Sequence, residues 1–125
     1  AGRDRHRHPM QWDGSPSGGF TSGEAWLPAV DPGERNVAEQ RDDPGSMLSL
    51  VRELIALRRE LGGQLELIDA ADGVLAFRRG AHTVAVNTTA EALPAPLRSE
   101  LRLESAPGAV RDGVLAPHAG AVAMG

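Results

Sequence analysis

Seventeen carboxylates are spread along the chain, and two of them held roughly 5 Å apart could serve as nucleophile and acid/base. The candidates in the first half are the local pair Asp42 and Asp43 and the more separated Asp13, Glu24 and Asp31. Spacing alone brings no two of these together. Asp43 is accounted for by helix capping, and Asp72 and Asp112 by turns. His6 and His8 would face one side of an extended segment and could share a metal ion. No third ligand follows at a suitable spacing, so a solvated polar terminus is the better account of the pair. Arg3, Arg5 and Arg7 interleave with these histidines as a basic arm. An arginine fork held in a rigid loop suits bidentate binding of carboxylate or polyhydroxylated groups. With no Cys there is neither a thiolate cluster nor a thiol nucleophile, and a glycine-rich phosphate loop, a nucleophile elbow and a His-Glu-x-x-His run are all missing. The residues therefore form no complete catalytic motif.

The elements that must position these groups fall into two regions. Residues 1 to 45 hold five Pro and no sustained apolar period, so they read as a long loop. Trp12, Phe20, Trp26 and Leu27 anchor it, and loops of this length are usually functional or belong to something larger. One helix is expected over roughly 44 to 61, opening with Asp43 as N-cap and Pro44 at the first helical position. Its apolar face comprises Met47, Leu48, Val51, Leu54, Ile55 and Leu61, widened by Leu50 and Leu57. Arg58 and Arg59 suit its last turn, and Gly62-Gly63 supplies the stop. Beyond it the period becomes two. Short strands are expected at Leu65–Ile68, Val74–Arg79, His82–Thr88, Leu97–Leu103, Ala109–Leu115 and Ala119–Met124. Turn chemistry at Asp72-Gly73, Arg79-Gly80-Ala81, Pro107-Gly108 and Asp112-Gly113 separates them, giving a small antiparallel sheet or sandwich.

Composition limits what this can be. At 125 residues and 13.1 kDa the chain cannot hold a complete eight-fold barrel, which takes about 250 residues. Of 51 apolar residues 19 are Ala, so only 32 larger ones are available for a core, and support from a partner is expected. A formal charge of −4 argues against nucleic acid or an anionic membrane as partner. All 13 basic residues are Arg, from which no mechanism follows. The lack of Cys fits a reducing, cytoplasmic setting. The N-terminus Ala1-Gly2-Arg3-Asp4 has no initiator Met and no apolar stretch, so it reads as a cut end rather than a signal peptide or anchor.

The run Arg7-His8-Pro9-Met10-Gln11-Trp12-Asp13 resembles the Arg-x-Pro-Met-Gln-Trp-Asp motif of α-glucosidases in the α-amylase family of glycoside hydrolases. The likeness continues in order and spacing through Ser15-Pro16, Gly19-Phe20-Thr21, Trp26-Leu27-Pro28, Asn36-Val37 with Gln40, Asp43-Pro44 to Ser46, and Leu54-Ile55-Ala56-Leu57-Arg58. It is strong over residues 2 to about 60 and architectural thereafter. Within that family it looks like oligo-1,6-glucosidases, related α-1,4-glucosidases, and trehalose synthases or sucrose isomerases. Arg5 and His6 stand where small residues are common in that family, and His8 stands for a Thr, so substrate preference does not carry over.

The resemblance implies an α+β fragment. Residues 1–63 would be the end of a (β/α) barrel, meaning the loop after its last strand and its last helix, and residues 64–125 would be a C-terminal antiparallel β domain. It implies retaining hydrolysis of α-glucosidic bonds in short oligosaccharides, with the nucleophile, acid/base and stabilising carboxylates upstream, so that this chain alone is inert. Arg7 matches the motif arginine and is expected to contact substrate; anchoring of the loop by a salt bridge is the alternative role. Gln11 and Trp12 look like support for the loop. No cofactor or metal is expected. The expected partners are an oligosaccharide and the remainder of the barrel. A part in a glucosyl isomerase, and a non-catalytic carbohydrate-binding or scaffold module, are the alternatives.

Overall fold

The computed structural model describes residues 3–125, with Arg5 by its backbone only. Gly2, Ala1 and the Arg5 side chain of the basic arm lie outside the described residues. Two units divide the chain, Ala1–Glu53 and Leu54–Gly125.

In the first unit a 3-10 turn over Arg3–His6 leads into a loop, and two helices follow, α1 at Val37–Asp42 and the start of α2, which spans Met47–Glu60. The stretch expected to be loop throughout thus contains a helix. Its six residues bury no side chain, so no apolar period announces it. Capping holds it instead. Asn36 has extended backbone and accepts from Glu39 N–H at 2.9 Å. The start of α2 also differs from expectation. Asp43 does not cap it: its carboxylate accepts from Gly45 N–H at 2.8 Å, forming a local turn, while Ser46 N–H donates to Asp43 O. The cap is the buried Ser46, whose Oγ accepts from Ser49 N–H at 3.2 Å and whose carbonyl accepts the first helical bond from Leu50. Along α2, Met47, Val51, Leu54 and Ile55 stay exposed at helical spacing, and Leu57 is its one buried residue.

The second unit is an antiparallel two-sheet structure, as the period of two implies. The strands are β1 (Leu65–Leu67), β2 (Val74–Arg79), β3 (His82–Asn87), β4 (Leu93–Pro94), β5 (Glu100–Glu104), β6 (Val110–Arg111), β7 (Val114–Leu115) and β8 (Gly120–Met124). One sheet runs β1-β2-β3-β8-β5 and the other β4-β7-β6. The expected 109–115 strand is a hairpin, broken by Asp112 and Gly113 at φ 50° and 76°, the left-handed pair that a two-residue turn requires. β4 was not expected; its two residues include a Pro, and only pairing with β7 defines it.

Register places Ala76, Ala85 and Ala121 side by side on one face of the larger sheet, where they meet Leu115 of the smaller one. Ile68, Val74, Ala95, Leu97 and Val110 pack around this core. Small alanines let the two sheets approach closely, so few large side chains are needed. Asn87, 1% exposed, locks one end: its Nδ2 donates to Glu91 O at 2.7 Å and Ala116 O at 3.0 Å, and its Oδ1 accepts from Thr89 N–H and Oγ1–H. At the β2–β3 turn Gly80 has φ 59°, and an added Cβ would come within 3.0 Å of Gly62 O, so this close approach requires glycine. The opposite face of the larger sheet carries Leu65, Leu67, Leu75, Val86 and Met124, all exposed.

Candidate functional site

The site is the loop from Arg7 to Asp31 in the first unit, and the sequence ties it down at several points. Pro9 is buried at its base. His8 Nδ1 pairs with Pro28 O at 2.9 Å, and Gln11 Nε2 donates to Val30 O at 2.6 Å, so the outgoing and returning arms are stitched together across about twenty residues. Between them the chain turns tightly. Gly18 N–H donates to Ser15 O, while Gly18 O accepts from both Trp12 and Asp13 N–H. Asp13 Oδ1 accepts from Ser15 N–H at 2.9 Å, and Ser15 Oγ accepts from Gly19 N–H at 3.0 Å. Hydrogen bonds from the Ser15 hydroxyl first, and its backbone N–H second, hold the Asp13 carboxyl below the usual aspartate range.

The same loop completes α1. Val37 N–H donates to Gln11 O at 2.9 Å and Ala38 N–H to Trp12 O at 3.0 Å, while Asn36 supplies partners for Glu39 and Gln40 N–H. Gln40 thus makes the first helical bond, and the three free amides of the first turn, those of Val37, Ala38 and Glu39, all have acceptors, two of them on the motif's own backbone. Gln40 in turn reaches forward: its Oε1 accepts from Leu48 N–H, and its carbonyl accepts from Ser46 Oγ. Gln11 and Trp12 support the loop through main-chain and amide contacts, a role their residue types alone do not reveal.

Arg7 follows the 3-10 turn, its N–H donating to Asp4 O at 3.1 Å, and its side chain is exposed. Among the described residues the single ion pair joins Arg35 to Asp31 at 3.8 Å, so Arg7 pairs with no carboxylate. Trp12, Phe20 and Trp26 are exposed on the loop, Trp26 at 81%. Asp13 and Asp43 are each engaged in local turns, and no group of three His, Asp or Glu that could hold a metal occurs among the described residues. No helix of the described residues is long and apolar enough to cross a membrane. Asn36, Gln40 and Ser46 carry the architecture of the site without having been singled out for it. Asn36 followed three residues later by Glu39 is the one signal that could have found the first of them.

A loop pinned at both ends, a short capped helix and a longer helix lead directly into an antiparallel β region, and comparison with known proteins agrees with this arrangement. The family model for the α-amylase catalytic domain matches residues 1–64. The chain belongs to the α-amylase family. It is 40% identical over 84 residues to a glucan 1,6-α-glucosidase of Streptococcus pneumoniae, covering 62% of this chain and 16% of that protein. With an oligo-1,6-glucosidase of Parageobacillus thermoglucosidasius it shares 46% identity over 61 residues, 47% of this chain and 11% of the relative. Among solved structures, the trehalulose synthase of Pseudomonas mesoacidophila aligns over 98% of this chain and 26% of its own, with 32% identity and a TM-score of 0.79. An isomaltulose synthase of Erwinia rhapontici, solved with sucrose, aligns over 97% and 25%, with 28% identity and a TM-score of 0.78. The chain thus spans about a quarter or less of the length of these relatives.

Proposed function

We propose that this chain is the C-terminal portion of a retaining α-glucosidase acting on short α-linked gluco-oligosaccharides. Residues 1–63 form the end of its catalytic barrel, and residues 64–125 form its C-terminal β domain. The observation that carries this reading is the motif loop itself: Arg7 to Asp13 fall within the family match, and their backbone carbonyls and amides are fixed by α1 and the returning arm. The nucleophile and acid/base lie in the part of the enzyme outside this chain, and the reaction is double displacement through a glycosyl-enzyme intermediate. Arg7 offers its guanidinium fork to substrate hydroxyls. Its exposure and its lack of a carboxylate partner among the described residues support this role over anchoring by a salt bridge.

The remainder of the barrel is the main partner. In the first unit Met47 and Val51, and in the second Leu54, Ile55 and the outer face of the larger sheet, expose apolar area that an isolated soluble chain rarely leaves uncovered. A glucosyl isomerase is the second reading, favoured by the trehalulose and isomaltulose synthases among the structural neighbours. The test is product analysis with the longest polypeptide that carries these residues, supplied in turn with isomaltose, maltose and sucrose. Release of glucose in the α configuration supports hydrolysis with retention, an isomeric disaccharide supports the second reading, and no turnover counts against both. Within that enzyme, Arg7→Ala is expected to lower kcat/KM about tenfold or more, in keeping with loss of charge-assisted hydrogen bonds. Unchanged kinetics would remove Arg7 from the substrate site.

A further inference from the structure

The second unit holds a cleft that the glycosidase reading does not use. Five stretches of chain converge on it: Ile68 and Asp69 after β1, Arg78 of β2, Thr83 of β3, the Pro96–Ser99 approach to β5, and Gly125. Its volume of about 530 Å³ is within the range of small-molecule sites. Arg78 and Thr83 are register partners on adjacent strands, and both share a face with Ala76 and Ala85, so they stand on the part of the larger sheet beside its core contact. Arg98 and Ser99 face the same space from the opposing segment.

The chemistry of this lining is specific. Two arginines and two hydroxyl-bearing residues line the cleft, Arg78, Arg98 and Ser99 exposed and Thr83 half-buried, while Asp69 is the one acidic side chain among the lining residues. Neither arginine is tied up in an ion pair among the described residues. Arg78 and Arg98 come from segments twenty residues apart in sequence, and both line one cavity. There is no aromatic side chain in the lining to stack on a sugar ring. Two planar forks and two hydroxyls match a small, multiply charged group with several acceptor oxygens, because each fork can take two oxygens and each hydroxyl one more.

We propose that this cleft binds a phosphoryl oxyanion, supplied as free inorganic phosphate or as the phosphoryl group of a phosphorylated sugar. Arg78 and Arg98 carry the charge, Thr83 and Ser99 donate hydrogen bonds, and Asp69 opposes binding by repulsion across the cleft. No residue of the Arg7 loop lines this cleft, so its failure to bind would leave the glucosidase reading intact.

The test is a titration of the full chain with inorganic phosphate and, separately, with glucose 6-phosphate at constant ionic strength, followed by amide shifts in NMR spectra. Saturable shifts centred on Arg78, Thr83, Arg98 and Ser99 are expected. Arg78→Gln and Arg98→Gln should each weaken binding about tenfold or more, Arg78→Lys and Arg98→Lys should weaken it less, and Asp69→Asn should tighten it. Tighter binding of glucose 6-phosphate would identify a phosphorylated sugar as the ligand, and equal or weaker binding would identify free phosphate. Shifts that do not saturate, or that persist unchanged when both arginines become Gln in a chain with wild-type circular dichroism, would overturn the proposal.

Discussion

Asn36→Ala should loosen the first unit more than any surface substitution in the loop. Asn36 is 2% exposed and works in two directions. Its Oδ1 accepts from Glu39 N–H at 2.9 Å, and its Nδ2 donates to Pro32 O at 2.9 Å. Loss of the cap costs about 1 kcal/mol, within a range of roughly 0.5–2. The Pro32 carbonyl, left without its donor in a part-buried position, adds about 1 kcal/mol. The sum of about 2 kcal/mol lowers the folding equilibrium of this unit roughly thirtyfold. Asn36→Asp keeps the acceptor and favours the helix N-terminus electrostatically but deletes the donor, so it should cost about half as much. Urea unfolding followed by tryptophan fluorescence is the suitable assay, since Trp12 and Trp26 both belong to this unit. A loss below about 0.5 kcal/mol for Asn36→Ala, or equal losses for the two variants, would refute the reasoning that capping rather than apolar packing holds α1.

Asn87→Ala removes the donor to Glu91 O and Ala116 O and the acceptor for Thr89, all at a buried position. It should cost the β unit about 3 kcal/mol, seen as a fall in Tm by circular dichroism, and an unchanged Tm would mean that this network contributes nothing. Asp13 should titrate below the usual aspartate value, because Ser15 hydrogen bonds favour the carboxylate. With its folded pKa depressed, its stabilising effect is present above the unfolded pKa and is lost as pH falls through the folded one. An NMR titration of Asp13 and of Ser15→Ala checks this, and a midpoint that the substitution leaves in place would contradict it.

How far the residues alone reveal this structure depends on what stabilises each part. The β2–β3 hairpin and the Asp112-Gly113 turn follow from alternation and left-handed turn chemistry, both local signals. The body of α2 follows from its apolar spacing, but its first residue does not. Asp43-Pro44 has the composition of a helix start, whereas Gly45 and Ser46 turn the chain once more before the helix begins. α1 and β4 are invisible to periodicity, because one rests on acceptors twenty-six residues away and the other on pairing with β7. The candidate site was legible as a motif through its family resemblance. Its physical construction was not, since backbone carbonyls of Gln11 and Trp12, which no residue type announces, secure it.

The most direct measurement is the mass and activity of the natural polypeptide, captured from its source with an antibody raised against residues 64–125. A protein roughly four times the length of this chain, as its 26% share of the structural relative implies, and releasing α-glucose from isomaltose or maltose, is the expected result. A polypeptide of 13.1 kDa with no such activity would contradict the glucosidase reading and move the assignment to a free-standing binding or scaffold module.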